Sequence, residues 1–358
     1  MGQPVPSPRS LRVCLPLDGW PRGTYGREKP VEPQMIRFLF RLVVLLVLLA
    51  VAALIVFRVL AANRESVAAA DLLLPQSRMV ETVHGALHVL EAGPEDGQPI
   101  LLIHGSVGWA GLWRETSQTL SDLGYRVVAV DLPPMGLSDR IDGMDYSRQA
   151  QGLRVLALAE SLATPPIVVA HSFGAGAAVE AMMAGPEAFR GGVIVAGALN
   201  LGQDGSGMSL PLPLRPAVLR EAGLSATVTN PLVTKPLFQR FVHRNDSITS
   251  DVVGLLEYPF ARSGTTEALA AWLPTLLIPP RGAASTDPAR YADIQVPVAL
   301  IWGREDTVTP PEQGLALQNA LNSASMFWMD NIGHIPQIEA PDDFHQNLAD
   351  ALAGIEQG

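Results

Sequence analysis

Three residue types that together catalyse acyl transfer each follow a short apolar run in this chain. A serine hydroxyl attacks a carbonyl carbon readily when a base takes its proton, and a histidine acts as that base when a carboxylate orients its ring. Ser172, Asp306 and His334 occur in this order along the chain, each after an apolar stretch. The pattern predicts a serine nucleophile, an orienting acid and a general base.

The sequence around Ser172 is typical of a tight turn between a strand and a helix. Ala170-His171-Ser172-Phe173-Gly174 follows the apolar run 167–169 and precedes a run of small residues. Such a turn strains the backbone of its serine and therefore needs small residues on either side. Ala170 and Gly174 meet this need, although glycine is the usual residue at the first of these positions.

Two backbone amides are candidates for stabilising the negative charge that develops on an attacked carbonyl oxygen. Phe173 follows the nucleophile at a helix start, where backbone N–H groups are free to donate. The second donor is predicted in the turn 104–108, and we assign it to Ser106. His104 in the same turn is expected to fix this loop rather than to transfer protons.

Two adjacent acidic residues could orient the imidazole. Glu305 and Asp306 are adjacent in the loop after the apolar run 298–302. Adjacent loop residues point in different directions, so only one of them can orient the imidazole. Asp306 is the predicted acid, and Glu305 stays open as the alternative.

Apolar runs of strand length alternate with stretches of helical spacing over most of the chain. The runs 100–103, 126–130, 167–170, 193–196, 298–302 and 326–329 read as buried parallel strands, and 79–90 reads as an antiparallel hairpin around Gly85. Alternating strands and helices predict an α/β fold with a mostly parallel, doubly wound sheet. The strand ends then bring the three candidate catalytic residues to one edge.

The segment from 199 to 291 breaks the strand and helix rhythm with prolines and helical pieces. We interpret it as a helical cap inserted between two parts of an α/β core, at 78–198 and 292–358. Because a cap covers the substrate, its residues would determine which substrate is accepted.

An apolar stretch near the N-terminus predicts one membrane-spanning helix. Residues 38–60 are long enough to cross a bilayer, with Arg41 and Arg58 expected to snorkel towards the interfaces. Seven Arg and Lys residues precede the wholly apolar part, which predicts a cytoplasmic N-terminus and a catalytic part on the translocated side. A cleaved signal peptide is the alternative. Residues 1–37 read as a disordered cytoplasmic tail.

The overall composition excludes several other classes of function. A net charge of −10 argues against a nucleic-acid partner, because binding phosphates requires a basic surface. Cys14 is the single cysteine, so neither an intramolecular disulfide nor a thiolate metal cluster forms. The histidines have no metal-ligand spacing, and the predicted chemistry needs no metal and no cofactor. Oligomeric state stays open.

Several separately spaced motifs together resemble the α/β-hydrolase superfamily from about residue 78 to the C-terminus. They are His104-Gly105, Asp131-Leu132-Pro133 with Gly136, Ser138 and Asp139, the turn at Ser172 and the loops at Asp306 and His334. The resemblance implies an α/β-hydrolase fold with Ser172 as nucleophile, Asp306 as acid and His334 as general base. Pro134 departs from the glycine that similar proteins often have.

The predicted function is hydrolysis of an ester or related acyl substrate through an acyl-enzyme. Carbon–carbon bond hydrolases and perhydrolases resemble the same pattern, and a non-catalytic binding protein is a further alternative. Because the chain carries a predicted anchor, a lipid-like ester is one candidate among small-molecule substrates. Epoxide hydrolases and haloalkane dehalogenases of the same superfamily use an aspartate at this turn, so the serine here disfavours those activities.

Overall fold

The computed structural model describes residues 33–321 and 324–357. Its first element is helix α1 (Pro33–Arg64), which is 32 residues long. It has an apolar window with a mean hydropathy of 3.1 in which no residue is buried. Residues 33–37, predicted to lie in the tail, are helical, and the helix continues past residue 60. The remaining tail residues, 1–32, lie outside the described residues.

From Val51 onwards, the described residues form one structural unit, which is built on an eight-stranded sheet. The sheet order is β1-β2-β4-β3-β5-β6-β7-β8. The strands are β1 (Ser77–Val80), β2 (Leu87–Ala92), β3 (Pro99–Ile103), β4 (Arg126–Val130), β5 (Ile167–His171), β6 (Gly191–Val195), β7 (Val298–Gly303) and β8 (Ser325–Met329). Strand β2 pairs antiparallel with both β1 and β4, and the other neighbouring pairs are parallel. The predicted mostly parallel sheet is confirmed.

Further helices occur between and after the strands. They are α2 (Arg114–Asp122), α3 (Arg148–Glu160), α4 (Phe173–Ala184), α5 (Ala217–Ala226), α6 (Thr234–Phe238), α7 (Ser250–Glu257), α8 (Thr265–Leu277), α9 (Pro311–Leu321), α10 (Pro336–Glu339) and α11 (Pro341–Gln357). Helices α5 to α8 follow β6 and precede β7, in the segment that the sequence predicts to be a cap. We refer to the segment 199–291 as the cap below.

The sheet has an apolar core on each of its two faces. Alternate residues of β3 divide between them: Leu101 and Ile103 join one cluster, and Ile100 and Leu102 join the other. The first cluster includes residues of α3 and α4, and the second includes residues of α2 and α11. Because both faces are covered, the central strands read in the sequence as continuous apolar runs.

Candidate active site

Ser172 lies at the sharp turn between β5 and α4, as the sequence predicts. Its φ of 51° and ψ of −119° are unusual for a residue with a side chain. A Cβ at Gly174 would lie 2.5 Å from the carbonyl oxygen of His104, so only glycine fits there. Ala170 is fully buried and accommodated without glycine. The turn projects the serine side chain from the carboxyl edge of the sheet.

The structure brings the three candidate catalytic side chains into one hydrogen-bonded row. Nε2 of His334 lies 2.8 Å from Oγ of Ser172, and Nδ1 of His334 lies 2.8 Å from Oδ2 of Asp306. A carboxylate only accepts hydrogen bonds, so Nδ1 carries the proton that it donates to Asp306. Nε2 is then the acceptor that faces the serine hydroxyl. All three residues are buried.

Asp306 is held as an ionised carboxylate by the residues that follow it. Its Oδ1 accepts from the amides of Val308 and Thr309 at 2.8 and 2.9 Å, and its Oδ2 lies 2.7 Å from Oγ1 of Thr309. Burial alone would raise the pKa of Asp306, but these hydrogen bonds and the one from His334 lower it below its ordinary value. Thr309 was not anticipated from the sequence.

Glu305 occupies a different position from its neighbour. Its Oε2 accepts from the amide of Ile332 at 3.0 Å, and its own amide donates to the carbonyl of Ile332 at the same distance. The side chain thus fastens the loop that precedes His334. This geometry supports Asp306 rather than Glu305 as the orienting acid.

A buried carboxylate that the sequence analysis missed fixes the loop on both sides of His334. Glu339 accepts from the amide of Gly333 at 3.0 Å and from that of Ile335 at 3.1 Å. Its Oε2 also accepts from the amides of His243 and Arg244 in the cap, at 2.7 and 3.0 Å. One side chain therefore ties the histidine loop to the cap.

We expect Glu339→Gln to lower kcat by about 10- to 100-fold with a smaller change in KM, because displacing a base by about 1 Å costs rates of this order. A glutamine side chain keeps the size but has one acceptor oxygen in place of two, so it cannot accept all four amides. Steady-state kinetics beside Glu312→Gln, an exposed substitution on α9, would measure the effect. Loss of thermal stability with unchanged kcat would contradict this positioning role.

His171 precedes the nucleophile and also supports the histidine loop. Its Nε2–H donates to the carbonyl of His334 at 2.8 Å, and the two rings lie 5.1 Å apart. Burial, followed by the nearby His334, lowers the pKa of His171 to about 3. It therefore stays neutral at physiological pH and adds no charge next to the base.

The two predicted oxyanion donors follow β5 and β3 at the carboxyl edge of the sheet. Phe173 is the first residue of α4, where the helix supplies no acceptor for its N–H. Ser106 follows β3 in a turn closed by a hydrogen bond from the Gly108 amide to the Gly105 carbonyl at 3.1 Å. Within residues 33–321 and 324–357, the Ser106 N–H finds no protein acceptor. Its role as donor stays a prediction.

Buried polar residues hold the loops that carry these donors. Nδ1–H of His104 donates to the Gly105 carbonyl at 2.8 Å, and its Nε2 accepts from the amide of Leu132 at 3.0 Å. Asp131 accepts from the amides of Ala110 and Leu137 at 2.6 and 2.7 Å, and its Oδ2 lies 2.7 Å from Nδ1 of the buried His88. His104 and Asp131 therefore stabilise loops, a role that the sequence analysis anticipates for His104.

Apolar side chains flank the row on two sides. Phe173 packs edge-on against Trp272 of α8 at 5.4 Å, in a cluster with Met135, Leu224 and Leu269. On the other side, Ile335 packs among apolar residues of the cap, including Leu256 of α7. In the part of the chain that is described, no three His, Cys, Asp or Glu residues lie close enough to hold a metal ion.

A sequence model of the alpha/beta hydrolase family matches residues 100–346, more than half of the chain. The chain belongs to the α/β-hydrolase family. The predicted fold and family are therefore confirmed, and the strand order places Ser172, Asp306 and His334 after β5, β7 and β8. The family assignment favours an enzyme over a non-catalytic binding protein.

Among known proteins, the chain is similar to a 2-hydroxy-6-oxononadienedioate/2-hydroxy-6-oxononatrienedioate hydrolase of Pseudomonas putida. The two are 27% identical over 273 residues, which cover 74% of this chain and 91% of the relative. A putative aryl esterase from Burkholderia cenocepacia has a similar structure, with a TM-score of 0.63 and 21% identity over 79% of this chain and all of that one. A bacterial membrane phospholipase A has a TM-score of 0.60 and 20% identity over 90% of this chain and 99% of that one. The chain is thus a hydrolase of this family.

Proposed function

We propose that the enzyme hydrolyses a carbonyl compound through an acyl group carried on Ser172. The observation that supports this most directly is the row in which His334 lies 2.8 Å from both Ser172 and Asp306. His334 takes the hydroxyl proton as Ser172 attacks, and Asp306 stabilises the imidazolium that forms. The amides of Phe173 and Ser106 donate to the oxyanion.

The leaving group then takes the proton from His334, and a water molecule activated by the same residue releases the acyl group. These steps need no metal and no cofactor, because His334 both removes and returns the proton. It protonates the first leaving group and, when water releases the acyl group, the Ser172 oxygen. The remaining question is which bond to the carbonyl carbon breaks.

We infer that this bond is a carbon–carbon bond next to a ketone. The name of the Pseudomonas putida relative describes a substrate with a ketone, a hydroxyl group and carboxylates but no ester or amide. Hydrolysis of such a compound at its ketone breaks a carbon–carbon bond. The comparison therefore favours this alternative over the ester that the sequence analysis placed first.

Ester hydrolysis is the second candidate, and the lining of the site favours it. The relative's named substrate is a dicarboxylate, whereas the cluster around Phe173 consists of apolar and aromatic side chains. Arg140 and Arg262 both donate to the backbone carbonyl of Gly136. A neutral, apolar ester fits these surroundings without burying an unpaired carboxylate.

One assay distinguishes the two candidates. The purified full-length chain would be given 2-hydroxy-6-oxononadienedioate, followed by loss of dienol absorbance, and p-nitrophenyl esters of graded chain length. We expect a higher kcat/KM for the ketone, with Ser172→Ala at least about 10⁴-fold less active on both substrates. Turnover of esters alone would move the second candidate ahead, and turnover of neither would contradict the proposal.

We also propose that α1 anchors the enzyme to a membrane with its N-terminus in the cytoplasm and its catalytic part on the translocated side. The length and exposure of the apolar helix support the anchor, and the excess of Arg and Lys before it supports the orientation. Retention of the full chain in membranes washed with alkaline carbonate would test the anchor.

A further inference from the structure

The end of α1 has one partly buried side, and polar side chains join this end of the helix to the cap. Leu54, Phe57, Arg58 and Ala61 recur at the three- and four-residue spacing of a single helical face. Ala61 is fully buried, and the other three are partly buried. This contact lies within the structural unit 51–358 and begins inside the apolar segment predicted to span the membrane.

Arg58, which was predicted to snorkel towards the membrane interface, forms ion pairs with the cap. Its Nη2 lies 2.6 Å from Oε1 of Glu267 in α8, and its Nε lies 3.3 Å from Oε2 of Glu221 in α5. The guanidinium is therefore paired with two cap carboxylates, which more than offset its single positive charge. A cationic residue compensated in this way does not need to reach bulk water.

The residues after Arg58 attach the end of the helix to the same part of the cap. Glu65 is buried and accepts from the amide of Thr266 at 2.9 Å and from its hydroxyl. Arg64 donates to the carbonyl of Thr229. The amide of Val67 then donates to the carbonyl of Ala261 at 3.0 Å. No flexible linker separates the helix from the cap.

The opposite side of this end of the helix is apolar and exposed. It carries Ile55, Val56, Val59 and Leu60, each about half exposed. A contiguous apolar stripe of this kind needs an apolar environment. If lipid covers the stripe up to Leu60, then α5 and α8, which contact Arg58 on the other side, lie at the same depth.

The cap itself exposes large apolar side chains beside these contacts. Val218 in α5 lies three residues before Glu221 and is 66% exposed, and Leu232 lies three residues after Thr229 and is 80% exposed. Residues three apart on a helix are neighbours on its surface, so Val218 lies next to the Arg58–Glu221 pair. Lipid around the end of α1 would cover both side chains.

We propose that the cap is seated in the interface of the bilayer that α1 crosses, with Val218 and Leu232 inserted among the lipids. This inference rests on the proposed anchor. It has a consequence for catalysis, because α8 contacts Arg58 through Glu267 and contacts Phe173 through Trp272, about 7.5 Å further along the same helix. The membrane surface and the nucleophile turn are thus joined by one rigid element.

The test uses the full-length chain in phosphatidylcholine nanodiscs. Cys14→Ser removes the single cysteine, and a nitrobenzoxadiazole probe is then attached at Val218→Cys, Leu232→Cys, Val47→Cys or Glu187→Cys. Glu187 is the matched aqueous control, because it is exposed and precedes β6, at the sheet end opposite to the cap. Quenching is measured with acyl-chain nitroxide lipids and with aqueous iodide.

We expect the lipid nitroxide to quench the probes at 218 and 232 by at least about twofold, because interfacial insertion places side chains about 5–10 Å into the headgroup and acyl boundary. The probe at 187 should respond to iodide alone. Quenching by lipid at 47 but by iodide alone at 218 and 232 overturns the seated cap and leaves the anchor intact. Absence of lipid quenching at 47 overturns the anchor and the seated cap together, and neither result depends on the substrate.

Discussion

Replacement of Ser172 by alanine is expected to lower kcat/KM by about 10⁴- to 10⁶-fold, the range found when a nucleophile of such a triad is removed. The hydroxyl is the group that Nε2 of His334 faces at 2.8 Å, and within residues 33–321 and 324–357 no other side chain forms a hydrogen bond with this nitrogen. The residual rate would come from the oxyanion donors and from substrate binding alone. KM should change little, because alanine leaves the walls of the site intact.

Two measurements separate chemistry from folding for this variant. A fluorophosphonate should add one mass increment to the wild-type chain and none to Ser172→Ala, by intact mass spectrometry. Ser250→Ala, an exposed serine at the start of α7, is the matched control and should keep wild-type rates and labelling. Undiminished turnover by a correctly folded Ser172→Ala variant would remove Ser172 as the nucleophile.

The sequence was sufficient for the sheet and the strand ends because buried parallel strands leave a strong signal. Their residues are apolar on both faces, so each central strand appears as a short continuous run closed by turn residues. The three candidate catalytic residues follow such runs directly, at β5, β7 and β8. Their assembly then depends only on the parallel order of the strands.

The residues that support the row were harder to find because their partners are distant in the sequence. Glu339 joins the amides beside His334 to amides at 243 and 244, and this arrangement exists only when the cap is folded against the core. Thr309 is different, since an aspartate followed three residues later by a threonine is a local turn pattern that could have indicated it.

The contacts of Arg58 were also hidden from the sequence, because its partners are distant along the chain. An arginine at the end of an apolar segment is ordinarily expected to snorkel, because composition and length alone enter that argument. Its partners, Glu221 and Glu267, lie more than 160 residues away and are acidic residues on otherwise unremarkable cap helices. Only the tertiary structure shows that the two carboxylates meet the arginine.

Asp306→Asn is expected to lower kcat by about 10⁴-fold, the effect of the equivalent change in a well-studied triad. An asparagine that presents its NH₂ group to His334 would favour the imidazole with its proton on Nε2. That nitrogen could then no longer accept the Ser172 proton. The lost carboxylate would also cease to stabilise the imidazolium that forms during attack.

Glu305→Gln is the control that decides between the two adjacent acids. The Glu305 side chain accepts a hydrogen bond from the Ile332 amide, and the oxygen of a glutamine can accept the same bond. We therefore expect kcat to stay within about threefold of wild type, with only a small change in stability. Rates are compared at saturating substrate, with thermal unfolding as the measure of folding. A large loss of kcat in Glu305→Gln together with an active Asp306→Asn would identify Glu305 as the acid. Because Thr309 and two backbone amides hold Asp306 in place, the geometry predicts the opposite order.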